Sequence, residues 1–313
     1  MKVPKAMQGR AFLGPQKQPE PDYMHLFRDR MDERVDFCRA VTDGTYRYIF
    51  NFYPERPQAQ YIEYMYRNPT LKRWKELADG GTLPPHQTAF FRAKPVEELY
   101  DLAADPDEVK NLANEPGQAK RVAAMRKAMV EHMVRIRDLG VYPEPLLHAR
   151  AAGTTPYEAG QATAEGDYRR VLGIAIDAAL GADEKTVSKW LQDKEPAVRY
   201  RGVLAVGRSH ANSKALLRQV AGLVSDEEIS TAIAAAERVV ASGVGDVNGA
   251  LALLERELGN AEAMIALRAA NSIDRLDDKA KRVLPAVRRL VEENQKGYPA
   301  GVCKKILLDQ TGN

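Results

Sequence analysis

Three stretches in the second half of this 313-residue chain share one design. Leu191 opens LQDKEPAVRYRGVLAV, Leu223 opens LVSDEEISTAIAAAERVV and Leu258 opens LGNAEAMIALRAANSI. Their starts lie 32 and 35 residues apart, and each is a leucine, a short polar turn and an alanine-rich amphipathic helix. A second amphipathic pattern precedes the first two and follows the third, as in RVLPAVRRLVEE at 282–293. A unit of two helices cannot bury its apolar face alone, so such a period predicts neighbour-on-neighbour stacking, an all-α solenoid. Asp193 with Pro196-Ala197-Val198-Arg199 has the form of a turn between the paired helices of such a unit.

The first half follows other rules. VDFCRAV (35–41) and TYRYIFNFY (45–53) flank Thr42-Asp43-Gly44, and Asp-Gly between β-prone runs predicts a hairpin. The period of two puts Tyr46, Tyr48, Phe50 and Phe52 on one face, and Arg47, Ile49 and Asn51 on the other. EELYDL (97–102) reads as a third strand. Asn68-Pro69 opens a helix that Gly80-Gly81 closes, and Thr82 with Pro84-Pro85 opens another. Asp105 is an expected helix N-cap, before a long helix from about Pro116 to Leu139 that Gly140 ends. Val122, Met125, Met129, His132, Met133 and Ile136 form its stripe. The expected fold class is α+β: a small antiparallel sheet with a long packed helix, followed by an all-α HEAT-like solenoid. The expected organisation is a first domain at 1–148, a small polar linker or draped loop at 149–168, and helical repeats at 169–313.

Composition narrows the function classes. At 44% hydrophobic and 28% charged the chain reads as soluble and globular, and its net charge of +3 argues against nucleic acid. The N-terminal MKVPKAMQGRAFLG has no apolar core of a secretory signal, and no apolar run is long enough for a membrane span. Two cysteines, Cys38 and Cys303, read as buried or idle thiols. Neither the five histidines nor any glycine-rich loop, GxSxG or HExxH pattern supplies a metal or nucleophile site. Asp277-Asp278 reads as a solvated turn between repeat helices.

One dense polar cluster remains. In HLFRDRMDER (25–34), Arg28, Asp29, Arg30, Asp32, Glu33 and Arg34 set three cations against three anions. Guanidinium forks suit sulfate, phosphate and carboxylate. The competing reading is a self-neutralising surface loop.

RDRMDERVDFCRAVTDGTYRYIFNFYPERP, a helical stretch ending near Trp74, and KPVEELYDLAADPDEVKNLA before a long helix occur in an order that resembles the C-terminal region of bacterial sulfatases, in particular those similar to N-sulfoglucosamine sulfohydrolase. The resemblance covers roughly residues 8 to 145 and leaves the repeats outside as an appended module. It implies a subdomain that packs beside an alkaline-phosphatase-like catalytic domain. That domain carries the calcium ligands and a formylglycine made in a C/S-x-P/A-x-R context. Cys38 is followed by Arg-Ala-Val-Thr and Cys303 by Lys-Lys-Ile-Leu, so no catalytic residue carries over, and calcium and formylglycine are implied only for a complete sulfatase. The segment matching RDRMDE lies near the family's pocket mouth, which makes Arg28, Arg30, Asp32 and Glu33 substrate-binding candidates. The implied partner is a sulfatase catalytic domain, missing or separately encoded, beside a protein partner of the repeat stack. The compartment stays unknown; it would be periplasmic or secreted if the chain were part of a full-length sulfatase. The alternative is a non-catalytic helical-repeat interaction protein.

Overall fold

A computed structural model describes residue 7, residues 9–293 and residues 297–311. The remainder of the N-terminal stretch and the last two residues, which the expected domains included, lie outside the described residues. Along the chain run β1 (Met24–Arg28), β2 (Cys38–Thr42), β3 (Tyr46–Asn51), and three helices, α1 (Glu63–Tyr66), α2 (Pro69–Asp79) and α3 (Pro85–Thr88). Then come β4 (Glu97–Asp101), α4 (Ala119–Ile136), α5 (Glu144–Arg150), α6 (Pro156–Ala162), α7 (Glu165–Leu180) and α8 (Glu184–Trp190). The series ends with α9 (Pro196–Ser209), α10 (Lys214–Gly222), α11 (Ile229–Ser242), α12 (Val247–Leu258), α13 (Ala263–Leu276), α14 (Leu284–Glu293) and α15 (Tyr298–Thr311). The fold class is α+β, with one four-stranded antiparallel sheet in the order β1-β2-β3-β4.

The chain divides into two compact units, each discontinuous in sequence. The first spans Met1–Leu26, Arg39–Phe50 and Glu97–Val130; the second spans Phe27–Cys38, Asn51–Val96 and Glu131–Asn313.

In the first unit the hairpin forms where Asp43-Gly44 directs it. Gly44 takes φ +90°, and Asp43 Oδ1 accepts the N–H groups of Thr45 and Tyr46. β3 pairs antiparallel with β4, Tyr48 opposite Leu99. The aromatic face is buried: Tyr48 and Phe50 are fully enclosed. On α4, Val122, Met125 and Met129 are buried and Arg126 reaches the Glu97 carboxylate, which also accepts the Tyr48 hydroxyl at 2.5 Å.

The punctuated stretch after β4 works differently from the expected helix cap. Asp105 caps no helix; its carboxylate accepts the Lys110 N–H at 2.8 Å inside a run of turns. Asn111 is the organising residue. It accepts the N–H groups of Leu99 and Ala113 and donates to the Glu97 carbonyl, while Leu112 N–H bonds the Leu99 carbonyl. The Asn-Leu segment thus satisfies the free backbone groups of β4, as an added strand would. Helix α4 starts only at Ala119, and it stops at Ile136 because Arg137 turns left-handed at φ +54°, ahead of Gly140. His132 is half-exposed and bonds Arg135 rather than joining the core.

In the second unit α2 opens as its sequence dictates, with Asn68 accepting the Thr70 N–H and Pro69 in the first turn. Residues 149–168 do not drape. They hold the end of α5, all of α6 and the start of α7, because Thr155 and Glu158 form a reciprocal cap around Pro156. The three leucine-led stretches become the turns before α9, α11 and α13. Helices α8, α10 and α12 precede them, so the third stretch has a preceding helix as well as α14 after it. α9 packs on α11 and α11 on α13. Each turn uses the same device: Asp193, Asp226 and Asn260 accept the N–H of the glutamate two residues on, at 2.8 to 2.9 Å. Apolar residues of α11 to α15, such as Ile233, Leu254 and Val287, form a continuous core.

α9 also carries Arg201, 1% exposed, whose guanidinium donates to the Val141 carbonyl at 2.7 Å and stands near the rings of Phe37, Tyr53 and Tyr200. No helix among the described residues is long and apolar enough to cross a membrane.

Candidate functional site

The segment after β1 is held by charge. Met31 and Arg34 exchange both backbone hydrogen bonds at 2.9 Å, which closes a tight turn with Asp32 at φ +50°. Two residues on, the Asp36 carboxylate is buried. Lys94 Nζ holds both its oxygens at 2.8 Å, Arg28 reaches one at 2.8 Å, and the Phe37 N–H caps it. A carboxylate taken out of water survives ionised only with such a complete set of donors.

The four residues singled out from the sequence take different partners. Arg28 is part-buried and spans Asp36 and the Gln58 carbonyl, leaving its Nε buried without an acceptor. Arg30 bonds Glu144 at 2.7 Å and the Asp32 carbonyl at 3.2 Å, and its guanidinium lies over the Tyr298 ring. Asp32 is half-exposed. Glu33 is buried; its backbone carbonyl accepts from Asn271, and its Oε2 has no hydrogen-bond partner. Burial raises the Glu33 carboxyl above its ordinary value, against backbone hydrogen bonds that lower it. Its other oxygen lies against Gly301 of α15, where a Cβ would push the Glu33 carboxylate aside.

Arg34 belongs with this group. Burial, and then the nearby Arg28, lower its pKa, and its Nε is also buried without a partner. Arg28 and Lys94 thus share the Asp36 carboxylate, and Arg34 lies within the field of both Asp36 and Asp32. Such an arrangement suits an incoming anion, with Arg28 and Arg30 retaining about a quarter of their side-chain exposure (28% and 27%). Sequence reasoning passed over Asp36 and Lys94. Asp36 sits inside a β-like run, and nothing in the chain pairs it with a lysine 58 residues away.

The residues present do not fit the groups that a complete sulfatase would bring. Cys38 and Cys303 are free and buried, and burial pushes both thiols up to about 12. Cys38 donates to Asn51 Oδ1 at 2.9 Å. Asp36 is saturated by cations, and among the described residues no three His, Cys, Asp or Glu side chains gather to hold a metal.

No protein-family model matches the chain. Over 139 residues, 44% of its length, it is 40% identical to an ulvan-active sulfatase of Formosa agariphila, and it spans 23% of that relative's length. Part of this chain is therefore related to a sulfatase.

Proposed function

We propose that the chain is the C-terminal portion of a sulfatase-family protein, a sulfuric ester or sulfamate hydrolase, supplying a substrate-side subdomain and a helical-repeat module without being catalytic alone. The observation that carries this reading is the 40% identity to a sulfatase over a stretch equal to 23% of that enzyme. No cysteine or serine here lies in a C/S-x-P/A-x-R context. The partner would be a sulfatase catalytic domain. Met24 and Leu26, exposed on the edge strand β1, support such a partner, since an apolar strand edge is a pairing surface.

Arg28, Arg30, Asp32 and Glu33 are the proposed substrate-side residues, with Arg34 beside them. The substrate class is a sulfated sugar: a sulfated glucosamine by the sequence resemblance, a sugar of ulvan by the curated relative's name. Joined to a sulfatase catalytic domain, Arg30→Ala should cost on the order of 1.5–3 kcal/mol of transition-state stabilisation on a sulfated sugar. It should cost far less on a small aryl sulfate. Equal losses on both substrates would reduce Arg30 to a folding role.

A HEAT-like identity for the second half rests on the repeated Asp/Asn-capped turns and on the α9, α11, α13 stack. The same repetition supports the second reading, a non-catalytic interaction protein whose working part is the stack. Finding a catalytic domain in neither the same gene nor an adjacent one would favour that reading.

A further inference from the structure

A cavity of about 130 Å³ lies within the second unit, lined mainly by α9, α11 and α13. Five arginines and two glutamates face it. Both carboxylates are already taken. Glu237 is gripped by Arg275 through two bonds of 2.9 and 2.6 Å and accepts the Ser272 hydroxyl. Glu55 pairs with Arg208 at 2.7 Å. Three guanidiniums are left without a hydrogen-bonded carboxylate among the described residues. Arg268 is 9% exposed and, among the described residues, hydrogen-bonds only the Tyr200 hydroxyl, at 2.9 Å. Arg238 has no hydrogen-bonding or ionic partner among the described residues and rests over Gly207. Arg56 donates to the Val35 carbonyl and lies over the Tyr53 ring, with the Glu55 carboxylate 3.9 Å away and Glu237 within its field.

Like charges held together out of water repel, and a fold does not gain by collecting them. Guanidinium groups around an enclosed space offer forked donors that match oxyanions. The volume is close to the ~150 Å³ that holds a single benzene-sized guest, so one small group fits and a polymer does not. The half-buried Arg238 and exposed Glu55 give access from solvent.

We propose that this cavity binds one small oxyanion group, a sulfate or phosphate, between Arg238, Arg268 and Arg56. The site stands apart from the sulfatase reading, because its walls are mainly the helices α9, α11 and α13.

Gly207 supplies a control. A Cβ there would stand 2.8 Å from Arg238 Nη2, the far end of a flexible side chain, so Gly207→Ala displaces the guanidinium while substituting a better helix former. The experiment is calorimetric titration of the full chain with sodium sulfate, sodium phosphate and galactose 6-sulfate, each against sodium chloride of equal ionic strength. Unfolding temperatures are measured in chloride alone. The proposal expects saturable binding of at least one anion, weakened at least tenfold in Arg238→Gln and in Gly207→Ala. Neither variant should unfold earlier in chloride, because neither loses a partnered group. Binding of galactose 6-sulfate would identify the anion as part of a sugar, and binding of the inorganic ions alone would identify a free ion. No saturable binding of any of the three would overturn the proposal. So would unchanged affinity in both variants, or earlier unfolding of Arg238→Gln in chloride.

Discussion

Lys94 holds both carboxylate oxygens of Asp36 at 2.8 Å, with 2% and 0% of their side chains open to solvent. This pair fixes the base of the candidate substrate-side segment, because Arg28 reaches the same carboxylate. Asp36→Asn should cost about 3 kcal/mol or more, since it leaves Lys94 buried beside a neutral acceptor. Lys94→Met should cost less, because Arg28 and the Phe37 N–H still satisfy Asp36. Urea unfolding of both variants measures the order.

Arg199 of α9 reaches forward to the turn before α11, where it meets Asp226 at 2.6 and 2.8 Å while also donating to the Asp193 carbonyl. Asp226 in turn accepts the Glu228 N–H. Asp226→Ala removes a bidentate partner and a turn cap together, so a loss of about 2–4 kcal/mol is expected, in the range for breaking a mostly buried pair. Asp193→Ala, whose carboxylate pairs with the more exposed Arg170, should cost less in the same unfolding measurement.

Burial works to raise the Tyr200 phenol, but Arg268, Arg56 and Arg201 around it outweigh that and bring it down to about 8. The folded protein therefore releases this proton earlier than the unfolded chain, whose tyrosines titrate near 10. Stability from this group is fully present above about 10 and is lost as pH falls from there through about 8. The ultraviolet absorbance of the phenolate should show a midpoint near 8 that Tyr200→Phe removes, while Tyr53, raised by burial to about 12, stays protonated.

Glu237 titrates at the other end. Burial disfavours its charge, yet Arg275 and the Ser272 hydroxyl hold the carboxyl at about 2, below its ordinary 4.5. Its contribution is present above 4.5 and disappears as pH falls toward 2. Glu237→Gln should be less stable than the parent at neutral pH, and the gap should narrow between 4.5 and 2 when thermal unfolding is followed at each pH.

Both thiols should resist a disulfide reagent in the folded protein and react once it is unfolded. They are buried, and burial suppresses the thiolate that attacks.

The features legible in the sequence are those set by neighbours along the chain. The Asp43-Gly44 hairpin, the alternation that buries Tyr48 and Phe50, the Asn68-Pro69 helix start and the three repeated turns each depend on a few adjacent residues. What stayed hidden depends on distant ones. β1 reads as a polar cluster because it is an edge strand, with Met24 and Leu26 exposed. Asp105 has the composition of a helix cap, but Asn111 binds the edge of β4 and postpones the helix to Ala119. Arg30 was legible as a cation, whereas Glu144, 114 residues on, was not legible as its partner. The arginine cavity left no sequence signal, because the residues that meet in it lie on three helices and around Arg56, far apart along the chain.

Sulfate release is the measurement that bears most directly on the account. The purified chain, supplied with calcium, is assayed on an aryl sulfate, on sulfated glucosamine and on ulvan. A sulfatase-related chain that supplies a substrate-side subdomain and no nucleophile should release sulfate from none of them above the rate in buffer. Turnover that a single substitution in this chain abolishes would contradict it, because a catalytic residue would then lie here.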